Sequence, residues 1–252
     1  MKGLYHRNSL IIRKLHACAT LFRQTPQNLK GKKHSSQLWL TRQIKDPYVE
    51  MAKQENYRCR SAFKLVEINE RFKILSPGQV VIDCGAAPGS WTQVAVKETN
   101  ADGKTDDLIG KVVAIDKLSI HPIQGASILS KMDFTNVASQ SELLNMLNGQ
   151  KADVVLSDMA PNACGVRNLD HDNIIKLAYA AMKFALQVTR IDGTLLCKVW
   201  EGGMSQQLEK DLLRFYKTVK SVRPQATRDE STEKFFLARG FRGVKNTADG
   251  TM

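Results

Sequence analysis

Short, unbroken apolar runs alternate with stretches of helical periodicity through the middle of the chain. Val80-Val81-Ile82 closes on Asp83, Lys111–Asp116 and Asp153–Asp158 each close on an acid, and Gly193–Trp200 is apolar around a single charge at Lys198. Continuous runs of this length read as strands buried on both faces. Between them, Ala62, Phe63, Leu65, Val66, Ile68 and Phe72 recur at helical spacing and end at the turn Ser76-Pro77-Gly78. A helix is predicted to begin near Ser90, another over Ile174–Val188, and an amphipathic one over Met204–Tyr216 with Leu208, Leu212, Leu213 and Phe215 on its apolar side. Ser221–Arg223 and Lys234–Ala238 are the last strand candidates, Asn100–Asp107 reads as a surface loop, and 244–252 as a flexible tail. The alternation predicts an α/β, Rossmann-like fold: a mostly parallel sheet with helices on both faces.

Composition changes this picture at the N-terminus. The chain has 252 residues, is 42% apolar and carries a formal charge of +12, enough core for one domain with an appendage. The charge is unevenly spread. No acid precedes Asp46, and residues 1–45 hold ten of the 37 basic residues, which leaves 27 against 25 acids beyond them. Spaced basic residues around the apolar face Leu10, Ile11, Ile12 and Leu15 fit a mitochondrial transit peptide over about residues 1–40, with a basic RNA-binding arm as the other reading. The main domain is then expected over 41–243. No run is long enough to span a bilayer. The five cysteines show no CxxC pair and no zinc-ligand spacing, so no metal site is expected, and Cys84 and Cys197 read as small core residues.

Candidate chemistry gathers at the carboxyl ends of the strands, where open α/β sheets bind ligands. After Asp83 comes Cys84-Gly85-Ala86-Ala87-Pro88-Gly89-Ser90-Trp91, in which Gly85 and Gly89 let the backbone approach a ligand closely. The spacing is not GxGxxG, and Pro88 removes an amide donor that a pyrophosphate would use, so a nicotinamide cofactor is disfavoured. Asp116 closes the second strand, placed to accept hydrogen bonds from both ribose hydroxyls of an adenosine. Asp133 is expected to receive the adenine amino group while Phe134 packs on its ring. Asp158 opens Asp158-Met159-Ala160-Pro161-Asn162 and faces the same edge. That segment lacks the paired prolines and aromatic of adenine-N6 methyltransferases, and the chain lacks the Pro-Cys of cytosine-C5 enzymes, so for a methyl donor direct transfer to an oxygen remains. Lys198, inside an apolar run, is either half of a structural ion pair or a lysine of lowered pKa.

These stretches resemble the FtsJ-like (RrmJ) ribose 2′-O-methyltransferases, in particular the branch that acts on mitochondrial large-subunit rRNA. The likeness rests on Arg60-Ser61-Ala62-Phe63-Lys64-Leu65, the Asp83–Trp91 loop, Ser157–Asn162, Cys197-Lys198-Val199 and Arg228-Asp229-Glu230-Ser231-Thr232-Glu233, and covers about residues 57–241. It implies S-adenosyl-L-methionine as cofactor, held by Gly85, Pro88, Gly89, Ser90, Trp91, Asp116, Asp133, Phe134 and Asp158. It also implies a Lys-Asp-Lys-Glu tetrad at Lys64, Asp158, Lys198 and Glu233, with Glu230 as a competitor for the last place. Ser90 stands where the family often has a second glycine, and its side chain is expected to point to solvent. Lys198, kept partly neutral by burial and by neighbouring Lys64, is expected to take the hydroxyl proton, with a charged Lys198 stabilising the alkoxide as the alternative. The implied substrate is a ribose, expected on a uridine, of rRNA in the mitochondrial large subunit or its precursor, in the matrix, with the enzyme a monomer.

Only RNA offers the 2′-hydroxyl. Lys53, Arg58, Arg60, Arg71, Lys73, Arg167, Arg223 and Arg228 are candidates for a basic rim that grips phosphates, and the polar loop Asn162–Asp172 for a segment that moves over the nucleotide. Two other readings stay open: a tRNA or cap 2′-O-methyltransferase using the same tetrad, and a mainly noncatalytic rRNA-binding assembly factor.

Overall fold

The computed structural model describes Gln43, residues 46–161 and residues 165–244. The chain divides into two compact units, Met1–Arg60 and Ser61–Met252. The expected transit segment and all of the tail but Val244 lie outside the described residues. In the first unit, helix α1 (Pro47–Gln54) is started by Asp46, whose carboxylate accepts from Tyr48 N at 3.1 Å, with Pro47 at the first helical position.

The second unit runs α2 (Ala62–Phe72), β1 (Val80–Cys84), α3 (Ser90–Thr99), β2 (Lys111–Asp116), β3 (Ala126–Ser130), α4 (Val137–Leu147), β4 (Ala152–Ser157), α5 (Arg167–Val188), β5 (Thr189–Trp200), α6 (Gly203–Phe215), β6 (Tyr216–Val222) and β7 (Glu233–Phe241). Its seven strands lie in the order β3-β2-β1-β4-β5-β7-β6. The first five are parallel, whereas β7 runs antiparallel to both β5 and β6. The order reverses between β1 and β4, which puts the ligand crevice of such a sheet at the carboxyl ends of those two strands. Because β7 is antiparallel, its first residue, Glu233, reaches the same edge and pairs with Trp200 at the end of β5.

The apolar runs are strands because both faces are covered. Val81 and Ile82, Val154 to Leu156 and Leu195 to Cys197 are all essentially inaccessible. On one face, a continuous core joins Ile82, Val155, Leu195 and Cys197 to α4, α5 and α6 through Leu143, Leu147, Ile174, Phe184, Leu208 and Leu212. No helix among the described residues is long and apolar enough to cross a membrane.

Several boundaries differ from expectation, most of all around α5 and α6. Helix α5 begins at Arg167 rather than Ile174, so the polar segment after Asp158 is shorter than the loop Asn162–Asp172 that was read as mobile; residues 162–164 of it lie outside the described residues. Its first turn is tied down by Asp170, which is buried and accepts from Gly165 N at 3.0 Å. Helix α6 ends at Phe215, and Tyr216 opens β6, five residues earlier than the strand candidate at Ser221. Tyr216 is fully buried against Phe241, with ring centroids 5.3 Å apart, so tertiary packing there outweighs the helical period of its neighbours.

Candidate active site

The loop after β1 is fastened to the end of β2. Gly85 N and Ala86 N both donate to Ile115 O, at 2.9 and 3.1 Å, and Ala87 N donates to Asp116 Oδ2 at 2.9 Å. The amides of Gly85, Ala86 and Ala87 are thus spent on the scaffold. What they secure is the shape of the loop: Gly85 sits at φ +78°, and a Cβ there would collide with Met159, the residue after Asp158. Gly89, at φ +108°, starts α3, whose first-turn N–H groups precede any intrahelical partner and suit a carboxylate.

Asp116 is held at both oxygens. Oδ1 accepts from Leu118 N at 2.7 Å and Oδ2 from Ala87 N, which leaves each oxygen a second lone pair in a fixed direction for a diol. Asp133 is exposed, and its Oδ1 accepts from Thr135 N at 2.8 Å and Thr135 Oγ1 at 2.7 Å. Those hydrogen bonds, with Lys117 nearby, hold the Asp133 carboxyl below the usual carboxylate range. Fixed carboxylates at the ends of β2 and β3, a loop without a basic side chain and a helix start at Gly89 match a nucleoside bearing an amino acid, so S-adenosylmethionine fits.

The side chains of three expected cofactor residues are engaged by the scaffold. Ser90 does not point to solvent: it is 2% exposed, and its hydroxyl shares a 2.7 Å hydrogen bond with that of Ser61. The indole of Trp91 donates to Ser61 O at 2.9 Å and packs on Phe235 at 5.4 Å between centroids. The ring of Phe134 belongs to the core, edge-on to Phe184 at 5.3 Å. Ser90 and Trp91 therefore join the loop to α2 and β7, and Phe134 anchors the segment that carries Asp133. An aromatic beside a ligand loop gives no sequence signal of the side to which it turns.

Asp83, to which no role was assigned, is completely buried at the end of β1. Its Oδ2 accepts from Thr92 Oγ1 at 2.7 Å, and its Oδ1 has no partner. Burial raises its carboxyl to about 7 despite the Thr92 hydrogen bond, and the charges of Asp158 and Asp116 push the same way. An acid closing an apolar strand was the signal available for it.

Beside the loop, α2, β4, β5 and β7 bring Lys64, Asp158, Lys198 and Glu233 into one chain of alternating charge. Lys64 Nζ lies 2.5 Å from Glu233 Oε1, Lys198 Nζ lies 3.3 Å from Glu233 Oε2, and Lys198 Nζ lies 2.6 Å from Asp158 Oδ1. Lys198 also donates to the Asp158 backbone carbonyl at 3.3 Å. Lys64, Lys198 and Glu233 are each 8% exposed, and Glu230 is exposed, so the competitor takes no part. Behind Lys64 stands the Phe235 ring, 5.8 Å from its ammonium.

This geometry favours the charged alternative for Lys198 over the partly neutral one. Burial does press its ammonium toward the neutral form, but Asp158 and then Glu233 outweigh burial and hold it above the ordinary lysine value. Glu233 is likewise opposed by burial and carried below its ordinary value by Lys198 and Lys64. The reason is arrangement: the Glu233 carboxylate bridges the two lysines, so Lys64 does not act on Lys198 as an unscreened like charge. Two cations and two anions compensate one another within the cluster.

The basic candidates divide. Arg60 pairs with Asp46 at 2.8 Å and lies over the Tyr48 ring, Lys53 pairs with Glu50 at 3.5 Å on the surface, and Arg71 lies over its neighbour Phe72. The side chain of Arg167 lies outside the described residues. Arg223 is committed to its own loop, where it donates to four backbone carbonyls. Sequence reading also missed Thr227, which is buried and donates to Glu233 Oε1 at 3.4 Å, and Glu67, which accepts from Ala226 N at 3.1 Å. One turn after Lys64, Glu67 had only its helical spacing to recommend it.

Comparison with known proteins covers the stretch of chain that carries these residues. The family model described as FtsJ-like methyltransferase matches residues 57–241. The chain is 52% identical over 226 residues to rRNA methyltransferase 2, mitochondrial, of Drosophila melanogaster, covering 89% of this chain and 90% of the relative. It is 46% identical over 220 residues to ribosomal RNA large subunit methyltransferase E of Xanthobacter autotrophicus, covering 87% of this chain and 84% of that one. Among solved structures, a ribosomal RNA methyltransferase from Plasmodium falciparum superposes with a TM-score of 0.66 at 26% identity, covering 75% of this chain and 100% of that one.

Proposed function

The chain belongs to the FtsJ-like methyltransferase family, and from that premise we propose that it methylates a ribose 2′-hydroxyl, on a uridine, in the large-subunit rRNA of the mitochondrial ribosome, with S-adenosylmethionine as donor. The observation that carries the reading is the four-membered charge chain at the switch point of the sheet, next to a loop that fits the cofactor. The mitochondrial and large-subunit context is supported by the names of the two relatives. The protein acts in the matrix as a monomer, on rRNA within the large subunit or its precursor.

The cofactor, when bound, supplies a methyl group on a positively charged sulfur that is already strongly electrophilic. The protein's residues do the rest by orientation and charge. Asp116 takes the ribose hydroxyls, Asp133 the adenine amine, and the start of α3 the carboxylate. Lys198, charged in the resting site, donates a hydrogen bond to the acceptor oxygen and so turns a lone pair toward the methyl group. Asp158, already paired with Lys198, accepts the hydroxyl proton as the oxygen gains its new bond. Glu233 holds both lysines at their stations, and Lys64 keeps Glu233 ionised.

Mapping 2′-O-methyl groups on mitochondrial rRNA from cells with and without the protein tests the reading. One ribose of the large-subunit rRNA, a uridine's, is expected to lose its methyl group in the absence of the protein. An unchanged map contradicts the proposal.

A further inference from the structure

Ten residues, Arg223–Thr232, connect β6 to β7, and the first residue after them is Glu233. This loop has little apolar side chain to pack on itself, so its carbonyls need another organiser. Arg223, the residue that leaves β6, supplies it. Its Nη1 donates to Ser231 O at 2.6 Å and Glu233 O at 3.4 Å, and its Nη2 to Arg228 O at 3.0 Å and Asp229 O at 3.2 Å. The loop therefore wraps around one guanidinium, whose planar fork of donors is what four carbonyls on an arc require. Beyond that fork the loop is tied to α2 through Glu67 and Ala226 N, and to β5 by Thr232 O, which accepts from Glu201 N at 3.0 Å.

We propose that Arg223 is a positioning residue for methyl transfer, which holds the 228–233 segment so that Glu233 bridges Lys64 and Lys198. The inference rests on the function proposed above. Arg223 touches neither the tetrad side chains nor the expected cofactor positions; it acts through the backbone of Glu233. Its outer side is exposed, so water takes up part of each lost hydrogen bond and the effect is partial. The competing role is the one its sequence suggests, an arginine that grips an RNA phosphate.

Arg223→Met and Arg223→Lys, alone and combined with Glu233→Gln, distinguish these roles in steady-state assays on rRNA. The expected result is a kcat lowered about tenfold in Arg223→Met, with cofactor affinity and the KM for RNA nearly unchanged. Lysine is expected to rescue only in part, because it keeps the charge without the fork. In the Glu233→Gln background the second substitution is expected to add little, since both act through one contact. The pH limb that reports Lys198 is expected to move to lower pH in Arg223→Met, because a displaced Glu233 no longer raises it. The proposal is overturned by a raised KM for RNA with kcat intact and a salt dependence reduced by about one counterion, which is the signature of a phosphate contact. Additive losses with Glu233→Gln overturn it as well. If Arg223→Met does not fold, Arg223→Lys alone decides by the same kcat, KM and pH readouts. A parent protein that methylates no ribose refutes the function and not the role of Arg223, and the two failures are separated by assaying the parent first.

Discussion

Replacing Lys198 by methionine is expected to lower methyl transfer by about 10² to 10⁴-fold, while S-adenosylmethionine still binds with nearly unchanged affinity. Methionine keeps most of the apolar stem and removes the ammonium. Lys198 is the only member of the chain of charges in contact with two carboxylates, Asp158 at 2.6 Å and Glu233 at 3.3 Å, so its loss affects the cluster unequally. Glu233 retains Lys64 at 2.5 Å, whereas Asp158 loses its ion pair. Breaking a fully buried pair costs about 3–5 kcal/mol, and the Asp158 side chain, 16% exposed, recovers part of that from water. The variant is therefore expected to be less stable by denaturation and yet folded. Cofactor affinity is expected to hold because Asp116, Asp133 and the start of α3 are untouched by the substitution, and Asp158, the other expected cofactor residue there, keeps its carboxylate. Turnover within a few-fold of the parent would remove Lys198 from the chemistry.

Asp83→Asn is expected to stabilise the ligand-free protein at pH 8 and leave it nearly unchanged at pH 4. The carboxyl is raised from 3.8 to about 7. Below pH 4 the folded and unfolded chains both hold the proton, and nothing is lost. Between pH 4 and 7 the unfolded chain releases it while the folded chain keeps it, so stability falls as pH rises. At 1.36 kcal/mol per unit the full shift corresponds to roughly 4 kcal/mol above pH 7. Asparagine keeps the shape of the neutral acid, and Thr92 remains as its hydrogen-bond partner. Chemical denaturation of both proteins at pH 4, 6 and 8 checks this. Parallel stability curves, with no gap opening between pH 4 and 8, would show that Asp83 is ionised in the fold.

What the sequence made legible follows from how each residue is buried. Strands β1, β2, β4 and β5 carry side chains packed on both faces, which leaves an apolar run without gaps and little room for another reading. At the sheet's edge β3 is only partly covered, with Leu129 alone fully inside it, so its pattern is weak. Asp158 and Lys198 stood out by their places in the pattern, but the tetrad as a group was legible only through family resemblance, because Lys64, Asp158, Lys198 and Glu233 lie on four elements and meet only if β7 turns antiparallel. The protonation of Lys198 was not legible: burial alone argues for a neutral amine, and the carboxylates of Asp158 and then Glu233 reverse the sign. Ser90, Trp91 and Phe134 show the same limit, since proximity in sequence does not tell which way a side chain turns. Arg223 shows it for charge: a basic residue near a nucleic-acid site looks like a phosphate ligand until its donors are found on carbonyls.

The central claim is that the charge chain directs a methyl group to a ribose oxygen. It is tested most directly by incubating the protein with methyl-labelled S-adenosylmethionine and large ribosomal subunits from mitochondria that lack it, then digesting the rRNA to nucleosides. The label is expected in a 2′-O-methylated nucleoside, uridine's, and to be lost with Lys198→Met. Label on a base, or equal labelling by the Lys198→Met variant, would contradict it.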